Sequence, residues 1–232
     1  MTLLGLHHVT ALAGEAQQNL EYYTKTRCMR LVKRTVNYDD PASHHFYFAD
    51  SQGTPGSVLT FFPWGHIRKP RRRTGQALSV AFEAAQVHVS GERFGQQLET
   101  CPDPDGLLLE FVKVREARPH RLHSVSICVP ELKPAEDFLE RTMALIPVGR
   151  EGNRSRFRVG TDQYIDIVED PSAEPGKMGA GVIHHVAFRA GSESALLEWR
   201  ERLASKGLRV TPVKDRTYFH SIYFRGPADA LF

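Results

Sequence analysis

Apolar positions recur in one order along the chain. Short alternating or wholly apolar runs, which read as strands, surround single stretches of helical spacing. The first unit opens with a strand over residues 4–12 and a helix carrying Ala16, Leu20, Tyr23 and Thr24. Strands over 29–36, 46–48 and 57–62 follow, with Asp50, Ser51, Gly53, Pro55 and Gly56 turning the chain before the last. A third unit repeats the design. Val125, Ile127 and Val129 alternate over 123–129, Pro134 opens a helix carrying Phe138, Leu139 and Met143, and strands follow over 146–149, 155–159 and 164–168. In the fourth, a strand over 183–189 precedes a helix over 192–206, with Leu196, Leu197, Trp199 and Leu203 on its apolar side and Gly207 as its C-cap. Strands over 209–214, 221–225 and 228–232 complete that unit, the last of them cut off midway. The second unit is short. Its first and last strands fall over 77–82 and 107–112, and a helix-poor stretch over 83–104 stands where a helix is due, as it would if residues near Gln86-Val87 were missing.

Such repeats decide the fold class. A βαβββ unit covers one face of its sheet with its own helix, so the other face must be buried by a second unit. The expectation is an α+β protein of four βαβββ units, paired into two curved, barrel-like sheets with unit two shortened. Residues 1–115 hold units one and two, and residues 116–232 hold units three and four. Units one and four would share an active concave site. Units two and three would share a vestigial one.

Composition narrows the function. With 41% hydrophobic and 25% charged residues the chain is ordinary globular material. The net charge of +3 is spread out, and its densest basic run, Arg68-Lys69-Pro70-Arg71-Arg72-Arg73, reads as a solvated loop. No aromatic residues interleave with that run, so no nucleic-acid partner is expected. Cys28, Cys101 and Cys128 lie far apart without a CxxC, which fits a reducing cytoplasm rather than a disulfide framework. No leader pattern is visible, and no run approaches the roughly 18 apolar residues of a membrane helix. A homo-oligomer is compatible with all of this. Neither a nucleophile elbow nor a phosphate-binding glycine loop is present.

The candidate chemistry lies in histidines. His7-His8 and His184-His185 stand at matching places in units one and four, and Leu122-His123-Ser124 is a degenerate third copy. Strand side chains alternate, so His8 shares a face with Thr10 and His185 shares one with Ala187. His7 and His184 then point to the opposite face or to the cavity rim. One such pair would more often be a satisfied core or surface feature, but two in register favour a shared metal. Two histidines and one carboxylate would leave adjacent positions open for an organic ligand and O2, the preference of Fe(II). The carboxylate is expected on the last strand of unit four. Unit two shows that strand as Pro104-Asp105-Gly106-Leu107-Leu108-Leu109 followed by Glu110, and aligning it with Pro227–Phe232 puts a glutamate next after Phe232. In an alternative arrangement Glu110 itself completes the site. His44, His45 and His220 read as structural or pocket-lining.

These residues resemble the vicinal oxygen chelate superfamily, which includes glyoxalase I, fosfomycin-resistance proteins and extradiol dioxygenases. More narrowly they resemble ring-cleaving dioxygenases of hydroquinones and chlorinated hydroquinones. The matching segments include Gly5-Leu6-His7-His8-Val9-Thr10, Gly53-Thr54-Pro55-Gly56, Thr74-Gly75-Gln76, His184-His185-Val186-Ala187-Phe188, Asp215-Arg216 and Tyr218-Phe219-His220-Ser221-Ile222-Tyr223. The resemblance implies Fe(II) held by His8 and His185 with a glutamate after Leu231-Phe232. It also implies active-site roles for His7, Thr10, His184, Arg216 and Tyr223. Two departures stand out: Pro227-Ala228-Asp229 replaces a Pro-Gly-Gly pattern, and unit two lacks its helix. The function expected is an Fe(II)-dependent, extradiol-type dioxygenase of hydroquinone- or catechol-like aromatics, with the aromatic and O2 as its partners. Two other readings are a glyoxalase-like metal-dependent isomerase or lyase and a non-catalytic small-molecule binding protein. The first would need a second carboxylate, which Val58-Leu59-Thr60-Phe61-Phe62 does not offer.

Overall fold

The computed structural model describes residues 2–37, 40–65, 67 and 74–232. Unit one comprises β1 (Leu6–Ala13), α1 (Ala16–Glu21), β2 (Arg30–Asn37), β3 (Asp40–Ala49) and β4 (Val58–Pro63). Unit two comprises β5 (Ala77–Ala84), β6 (Gly91–Arg93), β7 (Gln96–Pro102) and β8 (Leu108–Lys113). Unit three comprises β9 (Leu122–Val129), α2 (Leu132–Asp137), β10 (Ile146–Glu151), β11 (Arg154–Val159) and β12 (Gln163–Glu169). Unit four comprises β13 (Ile183–Phe188), α3 (Glu193–Ser205), β14 (Lys214–Asp215) and β15 (His220–Ser221).

The repeat is legible in small details. α1 and α2 both end in a π-type turn, with the Arg27 N–H donating to Tyr22 O at 3.0 Å and the Met143 N–H to Phe138 O at 3.1 Å. Each turn is followed by a residue in the left-handed region, Cys28 (φ 53) and Ala144 (φ 55). α3 starts at Ser192, whose hydroxyl accepts from the Ala195 N–H at 3.1 Å, and it buries Trp199 and Leu203.

The units pair as the repeat requires. One sheet runs β13-β1-β4-β3-β2 and the other β10-β11-β12-β9-β5-β8-β7-β6. The first strands of partner units meet antiparallel, β1 with β13 and β5 with β9, while in units one, two and three the last strand lies parallel to its own first strand, β4 to β1, β8 to β5 and β12 to β9. Each sheet therefore takes strands from both 1–115 and 116–232. One apolar cluster runs through both sheets. Tyr23 anchors it, packing on Phe61 and Phe48 at 4.6 and 5.2 Å while its hydroxyl donates to Asp103 Oδ2 of unit two at 2.9 Å.

Three regions depart from the expected elements. Between β5 and β6 the chain crosses residues 85–90 without a helix, and the β6–β7 hairpin fills the stretch read as helix-poor. β3 runs from Asp40 to Ala49, well beyond the strand expected over 46–48. In unit four the three expected strands shrink to β14, β15 and a bridge between Arg225 and Leu231. Pro212 has no N–H for a ladder. The Thr211 hydroxyl also takes the Tyr223 N–H at 2.9 Å, which diverts a backbone donor. The basic run over 68–73 lies outside the described residues. No helix among the described residues is long and apolar enough to cross a membrane.

Candidate metal centre

β1 and β13 run side by side with Thr10 opposite His185 and His8 opposite Ala187. That register brings two imidazoles together across the strand pair. His8 Nε2 and His185 Nε2 stand 3.1 Å apart, both rings buried. On their far sides each ring meets its own neighbour: His8 Nδ1 lies 2.8 Å from His7 Nδ1, and His185 Nδ1 lies 2.8 Å from His184 Nδ1. Four imidazoles thus form a line across the seam between units one and four.

Two cavities meet at the inner pair. One of about 410 Å³ reaches from His7, His8 and His185 to Phe188, Trp199 and Phe219. The other, about 230 Å³, is lined by His8, His184 and His185 with His45, Arg216 and Tyr223 among others. His7 and His184 therefore stand at the rims of different cavities. The Tyr223 ring meets the His185 ring edge-on at 5.7 Å and 88°, and the Arg216 guanidinium lies 5.3 Å from the Tyr223 ring centre. All seven residues expected at the site, His7, His8, Thr10, His184, His185, Arg216 and Tyr223, are brought around this point.

Burial sets the electrostatics. It pushes His8 and His185 well below the ordinary histidine value of 6.5, with neighbouring histidines adding to the effect. Burial, then the charge of Arg189, lowers His7 to about 4. All three are neutral at physiological pH, the state in which an imidazole offers a lone pair to a metal. Two metal–nitrogen bonds of about 2.1 Å at roughly a right angle hold their nitrogens about 3 Å apart, which the inner pair matches. The donor set fits a transition metal. Among the described residues, no group of three or more His, Cys, Asp and Glu side chains is placed to hold an ion.

Glu110 does not complete this centre. It lies on β8 of the other sheet, where Arg93 grips both its oxygens at 2.7 and 2.9 Å and Ser79 donates to it at 3.0 Å. Those three donors occupy most of the carboxylate's lone-pair sites, and its strand lies in the other sheet from β1.

Three residues escaped the sequence reading as a connected group. Thr10 Oγ1 lies 3.1 Å from His185 Nε2 and 2.7 Å from Thr60 Oγ1. Thr60 Oγ1 lies 2.9 Å from His45 Nε2, and His45 Nδ1 lies 2.9 Å from the Tyr47 hydroxyl. Burial, then the charges of Lys33 and Arg216, lowers His45 to about 3. The place opposite Thr10 on β4, where a second carboxylate ligand would stand, is therefore a hydroxyl tied into this chain.

Known proteins share this architecture. The model of the Glyoxalase/Bleomycin resistance protein/Dioxygenase superfamily matches residues 121–232. MhqO of Bacillus subtilis (strain 168), which carries the provisional name of ring-cleaving dioxygenase, is 35% identical over 260 aligned residues, covering 99% of this chain and 83% of that protein. The chlorohydroquinone/hydroquinone 1,2-dioxygenase of Sphingobium indicum is 29% identical over 98% of this chain and 84% of its own length. A crystal structure of a provisionally named dioxygenase from B. subtilis subsp. subtilis superposes with a TM-score of 0.92 at 35% identity, covering 100% of this chain and 84% of that one. Glyoxalase I of Zea mays shares the fold alone, with a TM-score of 0.73 at 12% identity over 98% of this chain and 90% of that one. The chain belongs to the glyoxalase/bleomycin resistance protein/dioxygenase superfamily, and ring-cleaving dioxygenases are among its relatives.

Proposed function

We propose that the chain is an Fe(II)-dependent, extradiol-type ring-cleaving dioxygenase of hydroquinone-like aromatic diols. The observation that carries this reading is the convergence of two neutral, buried Nε2 atoms, 3.1 Å apart, at the junction of two cavities. The relative that acts on hydroquinones supports the substrate class. Three free cysteines support a cytoplasmic setting.

His8 and His185 would hold the metal. The family resemblance implies a glutamate as third ligand, and Leu231, whose O accepts from the Val186 N–H at 3.2 Å, lies beside β13. Bound Fe(II) would supply adjacent open positions at which an aromatic diol and O2 react. His7 and His184 set the ligand tautomers. A neutral imidazole carries one ring proton. With the protons of His8 and His185 on Nδ1, each donated to the neighbouring Nδ1 of His7 or His184, both inner Nε2 lone pairs are left for the metal. Thr10 orients a substrate hydroxyl beside His185. Tyr223 donates a hydrogen bond to a substrate oxygen, and Arg216 adds fixed positive charge where the ring becomes anionic. The hydroxyl of Thr60, in place of a second carboxylate, speaks against a glyoxalase-like isomerase.

The test is anaerobic loading with Fe(II), then addition of O2 and hydroquinone. One O2 is expected to be consumed per ring opened, with no uptake by His8→Ala or His185→Ala. Uptake that survives in both variants would sink the reading.

A further inference from the structure

We infer that Thr10, Thr60, His45 and Tyr47 form a proton wire leading from the metal position to the Tyr47 hydroxyl in the lining of the 230 Å³ cavity. This rests on the function proposed above and assigns the path by which a bound diol loses its phenolic proton.

The wire is built across three neighbouring strands. Thr10 on β1 is in register with Thr60 on β4, and Thr60 is in register with Tyr47 on β3. His45 lies on the same face of β3, two residues from Tyr47. The links measure 2.7 Å from Thr10 to Thr60, 2.9 Å from Thr60 to His45 and 2.9 Å from His45 to Tyr47. Thr10 and Thr60 are fully buried, so their hydroxyls must be satisfied within this chain or lose the bonds water would have given them. At its inner end Thr10 Oγ1 is 3.1 Å from His185 Nε2, beside any group bound to a metal there. At its outer end Tyr47 lines the cavity.

One set of proton positions makes every link point the same way. His45 carries its proton on Nδ1 and donates it to Tyr47 Oη. Its bare Nε2 accepts from Thr60, whose oxygen accepts from Thr10. Thr10 Oγ1 is then an acceptor facing the metal position. When a diol binds, its O–H bond breaks and the electron pair stays on the phenolate oxygen. The proton passes to Thr10 Oγ1 as the Thr10 proton moves to Thr60 and the Thr60 proton to His45 Nε2. His45 releases its Nδ1 proton to Tyr47, whose own proton leaves to water in the cavity. No oxidant or reductant is needed. Lys33, Arg216 and His184 face His45 and oppose its protonation, so His45 passes the charge on rather than storing it.

The second sheet lacks such a path. There Ala81 and Glu110 fill the register places that Thr10 and Thr60 fill on the first sheet, and Ser124 fills that of His185.

Two measurements test the wire. In the metal-free protein, long-range nitrogen–proton NMR is expected to show His45 protonated on Nδ1. Thr60→Val should shift the Nε2 resonance and Thr60→Ser should restore it. A proton on His45 Nε2 overturns the proposal. In the second, Zn(II)-loaded protein is mixed with nitrohydroquinone, and the coloured phenolate is followed by stopped flow. Thr60→Val should leave the dissociation constant nearly unchanged and slow phenolate formation by roughly a hundredfold, the scale of a lost proton-transfer group. Thr60→Ser should keep the wild-type rate. Equal rates in Thr60→Val and wild type overturn the wire alone. Failure of the wild-type protein to bind and ionise the phenol counts against the proposed function together with this role for the wire.

Discussion

The two sheets carry the same frame with opposite contents. On the first, units one and four place His8, His185, Thr10 and Thr60 around two cavities. On the second, units two and three place carboxylates at the corresponding last-strand positions, Glu110 beside Ala81 and Asp166 beside Ser126. Those carboxylates are not open to a metal. Arg156 holds both oxygens of the fully buried Asp166 at 2.8 and 2.9 Å, Arg154 reaches it at 3.2 Å, and Arg93 bridges toward it from Glu110 at 3.8 Å. A metal centre needs donors with free lone pairs, and guanidinium groups consume them. One repeat pair keeps neutral donors facing space. The other fills the same volume with compensated charge.

The largest break in this comparison should come from Asp166→Ala. It takes the carboxylate from Arg154 and Arg156 at a buried site, and losing one partner of such a network costs about 3–5 kcal/mol. Urea unfolding should register that loss. His8→Ala on the first sheet should change unfolding far less while abolishing Zn(II) binding by chelator competition. Similar unfolding losses in the two variants would erase the distinction between a structural sheet and a functional one.

Much of this was legible in the chain because repeats and apolar periodicity are local signals. Four units, their pairing, the absent helix of unit two and the meeting of His8 with His185 follow from register alone. What was not legible depends on strands distant in sequence. Thr60, His45 and Tyr47 are ordinary strand residues until β1, β4 and β3 align them. Arg93 lies in a hairpin with no counterpart in the repeat, so its capture of Glu110 had no sequence signature. Unit four looked like three strands because its residues alternate, but Pro212 and the Thr211 hydroxyl override that pattern locally.

Acid should act in two stages, on the buried histidines of both sheets first and on the carboxylate of Glu110 second. His7, His45 and His123 sit at about 4, 3 and 4 in the folded chain against an ordinary 6.5. Each is neutral when folded and protonated when unfolded below pH 6.5. The stability this represents is complete above 6.5 and is lost as pH falls toward those lower values. The slope is about 1 kcal/mol per pH unit for each buried histidine, less for the partly exposed His7. Glu110 behaves differently. Burial pushes its carboxyl up, but Arg93 outweighs this and holds it below its ordinary 4.5. Its contribution begins to fall only as acid passes 4.5. Thermal unfolding from pH 7 to 3 should therefore show a first decline that His45→Gln and His123→Gln reduce, and a later one that Glu110→Gln removes. Zn(II) affinity should hold as pH first drops below 6.5, because burial keeps His8 and His185 unprotonated there, and should fall only once acid reaches their lowered values.

The smallest effect sharpens the comparison at the tail of unit four. The turn over Pro227–Asp229 leads into Leu231, which lies beside Val186 of β13. Ala228 has φ 51 and Asp229 has φ 73, where the resembled pattern has two glycines. A side chain in the left-handed region costs about 1–2 kcal/mol, and glycine returns part of that in chain entropy. Ala228→Gly should thus raise stability by about 1 kcal/mol or less, and Asp229→Gly by less still, because aspartate tolerates this region better. The reverse holds at Gly75 (φ 78), where a Cβ would meet Ala228 O at 1.9 Å, so Gly75→Ala should destabilise the same contact. If Ala228→Gly also tightens Zn(II) binding, the turn transmits its strain along β13 to His185. If stability rises alone, the strain ends at the turn and the imidazole pair is held by β1 and β13 themselves.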